Sequence, residues 1–462
     1  MKQLALLILL LQTTYATAQN QANNWYFGNN AGITFSTNPP TFLSGGQINT
    51  AEGCASISDN NGNLLFYSDG VTVWDSTHAV MQNGTGLLGD FSSTQSGLII
   101  PAPGSATFYY LITAPVHSST NPLAYSIIDM TLNNGLGAIT VKNVILLDTS
   151  TEKVTAVYHQ NGIDIWIIAH GYPNNSFYAF LLTSLGINPI PVISSAGNLI
   201  TIASHKTGYL KASPCGNQLS MANYKSSGLS TLELFDLEDS TGVVSNGLQI
   251  GQWNVGGGVY GEEFSPDNSK LYASIISPPI VVQYDLLAGS PPAIIASMDT
   301  IGVSLSNVIG ALQTGPDGRI YLTKFGGDSL ACITNPNQLG TSCGFVENYV
   351  SLGSGVGRYG LPNFLTSLFC NIPSAINEVN EGDAILIYPN PFGDEATLQI
   401  SNDLLSRKCE LVIYDLLGHR VKQITIVNQH TALHKENLTD GIYFYVLTVK
   451  DEVVKKGKFV IE

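Results

Sequence analysis

The chain has 462 residues, which is long for one ordinary domain unless one unit is a large all-β fold. Hydrophobic residues make up 44% and charged residues only 11%, so a full core can be buried under a surface of uncharged polar side chains. Residues 19–384 carry nine Lys and Arg against 24 Asp and Glu, which excludes a basic groove and nucleic acid as a main partner.

The amino end has the pattern of an export signal. Lys2 supplies a positive charge, residues 4–11 form an apolar run, and residues 16–18 read Ala-Thr-Ala, a small-x-small cleavage pattern. The run is too short to cross a bilayer, and no later apolar stretch of about 18 residues follows it. We therefore expect a signal peptide over residues 1–18, a mature chain from Gln19, and no integral membrane segment.

A repeat of roughly fifty residues follows, a period typical of propellers. In each unit an apolar run opened by Gly is followed by a tight turn and a second run, most clearly at 264–274 and 314–323, where Pro-Asp favours a hairpin. A third run ends in a hydrophobe and Asp, at Asp75, Asp129, Asp236 and Asp285. The opening glycines are Gly53, Gly97, Gly208, Gly261, Gly310 and Gly360, and the longest step spans an unmarked unit around Val154. The pattern predicts seven units.

The seventh unit is divided between the two ends of the repeat region. Residues 359–369 read as a first strand without a hairpin partner, and residues 25–35 read as a second and third strand without a first. Together they can complete one blade, which removes free sheet edges. We predict an all-β, seven-bladed β-propeller over residues 19–371, closed by its N- and C-terminal strands. It resembles the WD-repeat-like and YVTN-type propellers in architecture, although the WD and GH signature residues are absent.

The six cysteines are too few for a disulfide scaffold in a chain of this size. Cys332 and Cys343 are the candidate pair, because the segment between them reads as a strand, a turn and a return. The alternative is that neither is bonded. Single positions in strand-like or turn-like contexts indicate buried small hydrophobes, at Cys54, Cys215, Cys370 and Cys409. No pair has metal-site spacing, and we expect neither a metal nor a cofactor.

The carboxyl end predicts a separate small domain. Residues 372–384 are polar, acidic and aperiodic, which is typical of a linker. Residues 385–462 then alternate strand-like runs with Asn-Pro, Leu-Gly, Asp-Gly and Lys-Gly turns, which predicts a small Ig-like β-sandwich.

Four segments of this domain are recognisable: YPNPF at 388–392, VIYDLLG at 412–418, LTDGIYFY at 438–445 and GKFVI at 457–461. In this order they resemble the type A carboxyl-terminal sorting domain of the type IX secretion system. The resemblance implies a Bacteroidetes-type source, handling by the secretion machinery and its sorting peptidase, and a final place on the outer-membrane surface, anchored to lipopolysaccharide, or outside the cell. The matching motif positions are Pro389, Asn390, Pro391, Gly418, Asp440, Gly441, Tyr443, Gly457 and Lys458. Singly, most of these are turn formers of any sandwich.

Propellers place ligand sites where the innermost strands enter the central channel, so polar residues beside the first strands are the site candidates. They are Glu52, Gln95, Lys153, His205, Lys206, Tyr260, Glu262, Glu263, Asn307 and Arg358, with His117 and His170 near the same rim. In a functional interpretation Glu52, Glu262 or Glu263 acts as acid or base, Arg358 orients a carboxylate or sugar, and the histidines hold a metal. In the alternative these side chains are simply hydrated.

Three functional hypotheses remain open at this point. The first is an exported binding module that recognises an extracellular protein or glycan. The second is an exported propeller hydrolase, lactonase-like or glycan-cleaving, and the third is a structural surface component without a small-molecule site. An acid-base pair with perturbed pKa values at the rim would favour the enzyme, whereas hydrated Ser, Asn and Thr would favour the binding module.

Overall fold

The computed structural model describes residues 20–225, 228–254, 257–305, 307–370, 385–400, 409–415, 419–449 and 452–461. The predicted signal peptide, the predicted linker and Gly418 lie outside these residues. Packing divides the chain into two units, residues 1–371 and 372–462, which are described separately. Strands dominate both units, and the predicted all-β class is confirmed.

The first unit consists of meanders in which successive strands pair antiparallel. The first sheet contains β1 (Asn24–Phe27), β2 (Ala31–Thr34) and β3 (Thr41–Phe42). An eight-stranded sheet follows, in which one parallel pairing of Ala138 with Gln82 joins two meanders. Its strands are β4 (Ala55–Ser58), β5 (Leu64–Ser68), β6 (Thr72–Asp75), β7 (Val80–Thr85), β8 (Gly97–Pro101), β9 (Phe108–Thr113), β10 (Leu123–Asp129) and β11 (Ala138–Leu147).

Four further sheets complete this unit. The five-stranded sheet contains β12 (Ser150–Tyr158), β13 (Ile165–Gly171), β14 (Ser176–Thr183), β15 (Gly186–Ile187) and β16 (Val192–Ser195). The next contains β17 (Leu210–Ala212), β18 (Gln218–Asn223), β19 (Ser230–Glu238) and β20 (Val243–Trp253). The last two contain β21 (Val259–Phe264), β22 (Lys270–Ile275), β23 (Ile280–Asp285) and β24 (Asp299–Val303), and β25 (Ile309–Thr314), β26 (Ile320–Lys324), β27 (Ser329–Ile333) and β28 (Phe345–Ser351).

Helices are short in the described residues. The α-helix α1 spans Pro291–Ala296, and 3-10 helices span Asn20–Ala22, Asn133–Gly135, Ala203–Lys206, Gly340–Cys343 and Thr366–Phe369.

Strand position within a meander explains the residue pattern. The first strands β12 and β21 are buried along almost their whole length, whereas the outer strands β7 and β20 alternate buried and exposed residues. The predicted hairpins at 264–274 and 314–323 are confirmed as β21–β22 and β25–β26. In the first of them Asp267 Oδ1 accepts a hydrogen bond from Ser269 N at 3.0 Å, and Asn268 adopts a φ of +60°, as a tight turn requires.

The predicted first strand over residues 359–369 is wrong. This segment makes an isolated bridge between Pro362 and Cys54 and ends in the 3-10 helix Thr366–Phe369. Proline has no amide hydrogen, so residue 362 cannot donate to a ladder.

The same segment nevertheless lies between β25 and β4. Tyr359 O accepts a hydrogen bond from Ala311 N at 2.7 Å, and Tyr359 N donates to Ala51 O at 3.0 Å. Gly360 faces the carbonyl oxygen of Glu52, where a Cβ would clash at 1.9 Å, so a larger residue does not fit here.

Beyond Gly360 the chain crosses to β12. Asn363 Nδ2 donates to Val154 O at 3.2 Å, and Thr366 Oγ1 donates to Ala156 O at 2.9 Å. The apolar side chains of this segment are buried in the core shared by the first strands: Leu361, Phe364, Leu365, Leu368 and Phe369. The segment over residues 359–370 therefore packs against strands from three different sheets.

Cys332 and Cys343 do not form the predicted disulfide, and both are buried free thiols. Side chains alternate along β27, so Cys332 and the next residue, Ile333, lie on opposite faces of the strand. Cys343 packs in the same hydrophobic core as Ile333, and Cys332 packs in a different one. The disulfide joins Cys215 to Cys370, 155 residues apart, with the Cα atoms 5.0 Å from each other. It ties the 359–370 segment to the β17–β18 hairpin.

The second unit has two sheets around one core. One contains β29 (Ile385–Tyr388), β30 (Glu395–Ile400) and β33 (His430–His434). The other contains β31 (Cys409–Tyr414), β32 (Arg420–Ile426), β34 (Gly441–Val449) and β35 (Glu452–Ile461). Leu398 and Leu433 from the first sheet pack with Leu411, Leu447 and Phe459 from the second.

Removing the disulfide should destabilise the first unit. Closing a loop of 155 residues stabilises a protein by up to about 5 kcal/mol in the chain-entropy model, so Cys370→Ser should lower the unfolding free energy by roughly 3–5 kcal/mol. The measurement is denaturant unfolding with and without dithiothreitol. The double variant Cys215→Ser Cys370→Ser is the control, since it should not respond to the reductant. A wild-type stability that dithiothreitol leaves unchanged under unfolding conditions would contradict the assignment.

Candidate functional site

Glu52 and Tyr260, predicted from different repeat units, are brought into contact. The hydroxyl of the buried Tyr260 donates a hydrogen bond to Glu52 Oε2 at 2.9 Å. Glu52 Oε1 accepts from Ser92 Oγ at 3.3 Å, and Glu52 Oε2 lies 3.2 Å from Thr94 Oγ1. The carboxyl group of Glu52 is half-buried, just before β4, and meets hydroxyl groups on each side.

A second carboxyl group, that of Glu152, lies behind Thr94 and is fully buried. Glu152 Oε2 accepts from Thr94 N at 2.8 Å and from Thr94 Oγ1 at 2.6 Å. Glu152 Oε1 accepts from His117 N at 2.6 Å, from His117 Nδ1 at 3.1 Å and from Thr207 Oγ1 at 3.3 Å. Burial raises the pKa of Glu152, but the hydrogen bonds from His117 and Thr94 outweigh it and hold the pKa below its ordinary value.

The threonine between the two acids indicates which one carries a proton. Thr94 has one hydroxyl hydrogen, and its shorter contact is with Glu152. Thr94 Oγ1 also accepts from Gly208 N at 3.2 Å, so its contact with Glu52 is a hydrogen bond only if Glu52 donates. Burial, followed by the nearby charge of Glu152, raises the pKa of Glu52 to about 8. Glu52 is thus a neutral acid at pH 7, and Glu152 is a carboxylate.

Aromatic rings surround Tyr260. Its ring centroid lies 5.7 Å from those of Tyr209 and Tyr224, both nearly perpendicular to it, and 5.6 Å from that of Tyr359. Tyr224 and Tyr359 are half-buried, whereas Tyr209 is buried. Burial is the main cause of the raised pKa values of Tyr224 and Tyr359, and the carboxyl group of Glu52 raises both further. Both phenols therefore lie near this carboxyl group.

Phe325 and Arg358 extend this surface. The ring of Phe325 lies 4.5 Å from that of Tyr359, and the Arg358 guanidinium stands over Phe325 at 5.2 Å from its centroid. Phe325 and Arg358 are both half-buried. We use the name Glu52 site for the set of Glu52, Tyr224, Tyr260, Phe325, Arg358 and Tyr359.

Lys153 supports the site from the interior. Its ammonium is fully buried and donates to three backbone carbonyls, those of His205 at 2.8 Å, Lys206 at 2.8 Å and Thr207 at 2.7 Å. Burial lowers the pKa of Lys153 to about 7. Lys206 Nζ in turn donates to His117 O at 3.0 Å. The two lysines therefore hold in place the segments that bind the Glu152 carboxylate.

Three of the predicted residues hold the backbone instead of lining the Glu52 site. Gln95 is buried, and its side-chain oxygen accepts from Val154 N at 3.1 Å and Leu210 N at 2.9 Å. His205 Nε2 lies 3.0 Å from Leu229 O. Asn307 Nδ2 donates to the backbone oxygen of residue 325 at 3.0 Å.

Glu262 and Glu263 are interior residues. Glu263 forms an ion pair with Lys211 at 3.1 Å, with both side chains buried. Glu262 Oε1 accepts from Ala222 N at 3.2 Å, its other oxygen has no protein partner, and burial raises its pKa well above the ordinary value. Neither carboxyl group contacts the Glu52 site through a described hydrogen bond.

The three candidate histidines each have a different partner. His117 binds the Glu152 carboxylate, His170 Nδ1 lies 2.8 Å from Gly171 O, and His205 faces Leu229. Burial lowers the pKa of His170 to about 3, so this ring is neutral. In the described part of the chain, no three His, Cys, Asp or Glu side chains are grouped to hold a metal ion.

Five residues of this region were not predicted from the sequence: Thr94, Glu152, Tyr224, Phe325 and Tyr359. Two of them are direct sequence neighbours of predicted site residues, since Glu152 precedes Lys153 and Tyr359 follows Arg358, and this position could have identified them. Phe325 and Tyr224 come just after second strands, β26 and β18, and only the packing of neighbouring sheets brings them to Tyr359 and Tyr260.

The described motif residues of the second unit hold its fold. Asn390 Oδ1 accepts from Val460 N at 2.8 Å, and the Tyr443 hydroxyl donates to Thr439 O at 2.9 Å. Gly457 lies against the ring of Tyr445, where a Cβ would come within 2.4 Å of the ring. These contacts hold strand ends and turns of the second unit in place.

Comparison with known families identifies this second unit. Residues 386–462 match the family described as the secretion system C-terminal sorting domain. The match indicates a secreted protein that the type IX secretion machinery handles, with a place at the cell surface or outside the cell. No curated protein matches the chain. Among the described residues no helix is long and apolar enough to cross a membrane.

Solved structures with a similar fold are distant from this chain. PorZ, a surface component of the type IX secretion system of Porphyromonas gingivalis, is 10% identical with a TM-score of 0.37, and the match covers 94% of this chain but 62% of PorZ, less than two thirds of its length. Hydrazine synthase of Kuenenia stuttgartiensis is 12% identical with a TM-score of 0.42, covering 68% and 86%. Hsv2 of Kluyveromyces lactis is 7% identical with a TM-score of 0.38, covering 68% and 90%. Sequence identities and TM-scores this low indicate neither the ligand nor the activity of this protein.

Lys153 should be essential for stability. Lys153→Met leaves three buried carbonyls without a donor, so the unfolding free energy should fall by about 3 kcal/mol, measured by denaturant unfolding. The control is Lys142→Met, because Lys142 bonds Asn83 and Thr85 at the surface and should cost well under about 1 kcal/mol. Equal losses in the two variants would contradict the role of Lys153.

The raised pKa of Glu52 should make stability depend on pH. Since the folded pKa is about 8 and the ordinary value is 4.5, the folded state binds more protons than the unfolded state between these values. Stability should therefore fall as pH rises through this range. Glu52→Gln cannot titrate and should lose about 4 kcal/mol less stability than wild type between pH 5 and pH 9, because the folded wild type keeps its proton over about three more pH units.

Thermal unfolding across this pH range measures the effect. The exposed Glu238→Gln serves as the matched control, and its curve should run parallel to that of wild type. If the Glu52→Gln curve also runs parallel to wild type, Glu52 is already ionised at pH 7.

Proposed function

We propose that this protein is an exported binding module, in which a seven-bladed β-propeller over residues 19–371 presents the Glu52 site and the sorting domain over residues 385–462 serves as the export address. A signal peptide over residues 1–18 starts export, and residues 372–384 link the two domains. The source is of Bacteroidetes type. The sorting peptidase then acts on the tail, an Ig-like sandwich, and the protein is anchored to lipopolysaccharide or released.

Seven successive meanders support the propeller. They start at β1, β4, β8, β12, β17, β21 and β25. The first of them has three strands, and residues 359–362 lie between β25 and β4, where a seventh inner strand would stand. This position supports our proposal that the two ends of the repeat region close the ring, through a bridge and not a strand.

One observation carries the binding role: the aromatic rings and the carboxyl group of the Glu52 site converge from four separate meanders and the 359–370 segment. Binding sites combine apolar and aromatic lining with a few polar groups that fix orientation. The Glu52 site has this composition, with Tyr224, Tyr359 and Phe325 beside Glu52 and Arg358.

A hydrolase is the second candidate, because Glu52 and Glu152 have pKa values moved in opposite directions, a pattern of acid and base pairs. The Glu152 carboxylate is fully buried and accepts five hydrogen bonds, so it does not reach a substrate. Glu52 would act as the only proton donor. The geometry therefore favours binding over hydrolysis.

The test is a thermal-shift screen of the full chain against glycans, lactones, peptides and divalent metals. A ligand at 100 times its Kd should raise the midpoint by about 2–4 °C, because it stabilises only the folded state. Tyr359→Ala should abolish the shift, whereas Tyr349→Ala should preserve it. Tyr349 is a matched control, since it is half-buried under Arg319 with the guanidinium 5.8 Å from its centroid.

Each outcome separates the hypotheses. A shift that Tyr359→Ala leaves intact would overturn the Glu52 site. Turnover of a bound ligand that Glu52→Gln abolishes would establish the hydrolase instead. The lack of any shift across the panel would favour a purely structural role.

A further inference from the structure

The protonation state of Glu52 restricts the class of ligand. A neutral carboxyl group both donates and accepts hydrogen bonds, whereas a carboxylate only accepts. Glu52 already receives hydrogen bonds from Tyr260 and Ser92 and shares Thr94 with Glu152. Because the proton of Glu52 is directed to Thr94, a group that meets Glu52 should donate a hydrogen bond to it, as an alcohol hydroxyl does.

The aromatic rings of the Glu52 site restrict the class of ligand further. Tyr224, Tyr359 and Phe325 are half-buried and present flat apolar surface next to the carboxyl group. A ligand that uses both features needs an apolar face and hydroxyl groups at its edge. A pyranose ring has this combination, because its axial C–H groups form the face and its hydroxyls project from the rim.

We propose that the Glu52 site binds a neutral saccharide, with the sugar face on the ring of Tyr359 and its hydroxyls bonded to Glu52 and the neighbouring phenols. This inference rests on the proposed binding function and names its ligand class.

Charged ligands fit the site less well. An organic cation needs a carboxylate and a free aromatic face, but the Arg358 guanidinium already stands over Phe325. An anionic ligand would face the buried Glu152 carboxylate, which one threonine hydroxyl separates from Glu52. Both alternatives become outcomes of the test.

The test is calorimetric titration of the full chain with neutral oligosaccharides, namely maltotriose, cellotriose, mannotriose and chitotriose, with choline and a sialylated trisaccharide as charged probes. At least one neutral probe should bind. Tyr359→Ala should weaken this binding roughly tenfold or more by removing the stacking surface. Tyr359→Phe keeps the ring and shows whether a loss arises from the hydroxyl alone. Glu52→Ala should also weaken this binding roughly tenfold, because the ligand loses the carboxyl group that accepts its hydrogen bond.

Tyr349→Ala is the matched control. Arg319 and Phe325 flank β26 at opposite ends, so the Arg319–Tyr349 pair lies away from the Glu52 site. Saccharide binding should be unchanged in this variant, and its unfolding midpoint shows the cost of losing a half-buried tyrosine ring.

The outcomes distinguish this inference from the proposed function. If no neutral saccharide binds while another ligand shows a Tyr359-dependent shift, the saccharide class is wrong and the binding site stands. Choline binding that Glu52→Gln abolishes would indicate a cation site. Saccharide binding that Tyr359→Ala and Glu52→Ala both leave intact would overturn the Glu52 site itself.

Discussion

The packing of the 359–370 segment against the first strands is the constraint on which the first unit depends. Its backbone bonds Ala311 of β25 and Ala51 before β4, its side chains bond β12, and Cys370 is linked to Cys215. A chain of meanders has an unpaired first strand at one end and an unpaired last strand at the other, and both expose backbone groups. The 359–370 segment bonds to Ala311 and to Ala51, which are 260 positions apart in the chain, and it also places Tyr359 beside Tyr260. The contacts of this one segment therefore join distant strands and form part of the candidate site.

Buried charge is the second organising element. Lys153 and Glu152 are adjacent in sequence and both fully buried, yet they do not neutralise each other by direct contact. Lys153 is satisfied by three carbonyls and Glu152 by five hydrogen bonds. Burying a charge is costly unless all its hydrogen-bonding capacity is used, so this arrangement leaves little freedom to the loops that carry Thr94 and His117. Burial and, after it, the fixed charge of Glu152 raise the pKa of Glu52.

The two units answer different demands. The first has few charges and many hydroxyl and amide side chains, so hydrogen bonds and aromatic contacts dominate the surroundings of Glu52. The second matches the sorting domain that the type IX secretion machinery handles, and its motif residues hold turns and strand ends in a defined shape.

Local patterns determined much of this protein. Alternating apolar runs, Pro-Asp turns and a repeat period specify hairpins from neighbouring residues, and for this reason the all-β class, the two predicted hairpins and the sorting tail could be derived from the sequence alone. Glu52 and Tyr260 were also found, because each flanks or begins a first strand. Tertiary structure decided the rest. The Cys215–Cys370 bond, the bridge at Pro362 in place of a strand, the proton shared through Thr94 and the approach of Phe325 to Tyr359 all join residues far apart in the chain. Which of these residues meet depends on how the meanders pack around a common core. A local sequence pattern does not specify contacts between residues that are far apart in the chain.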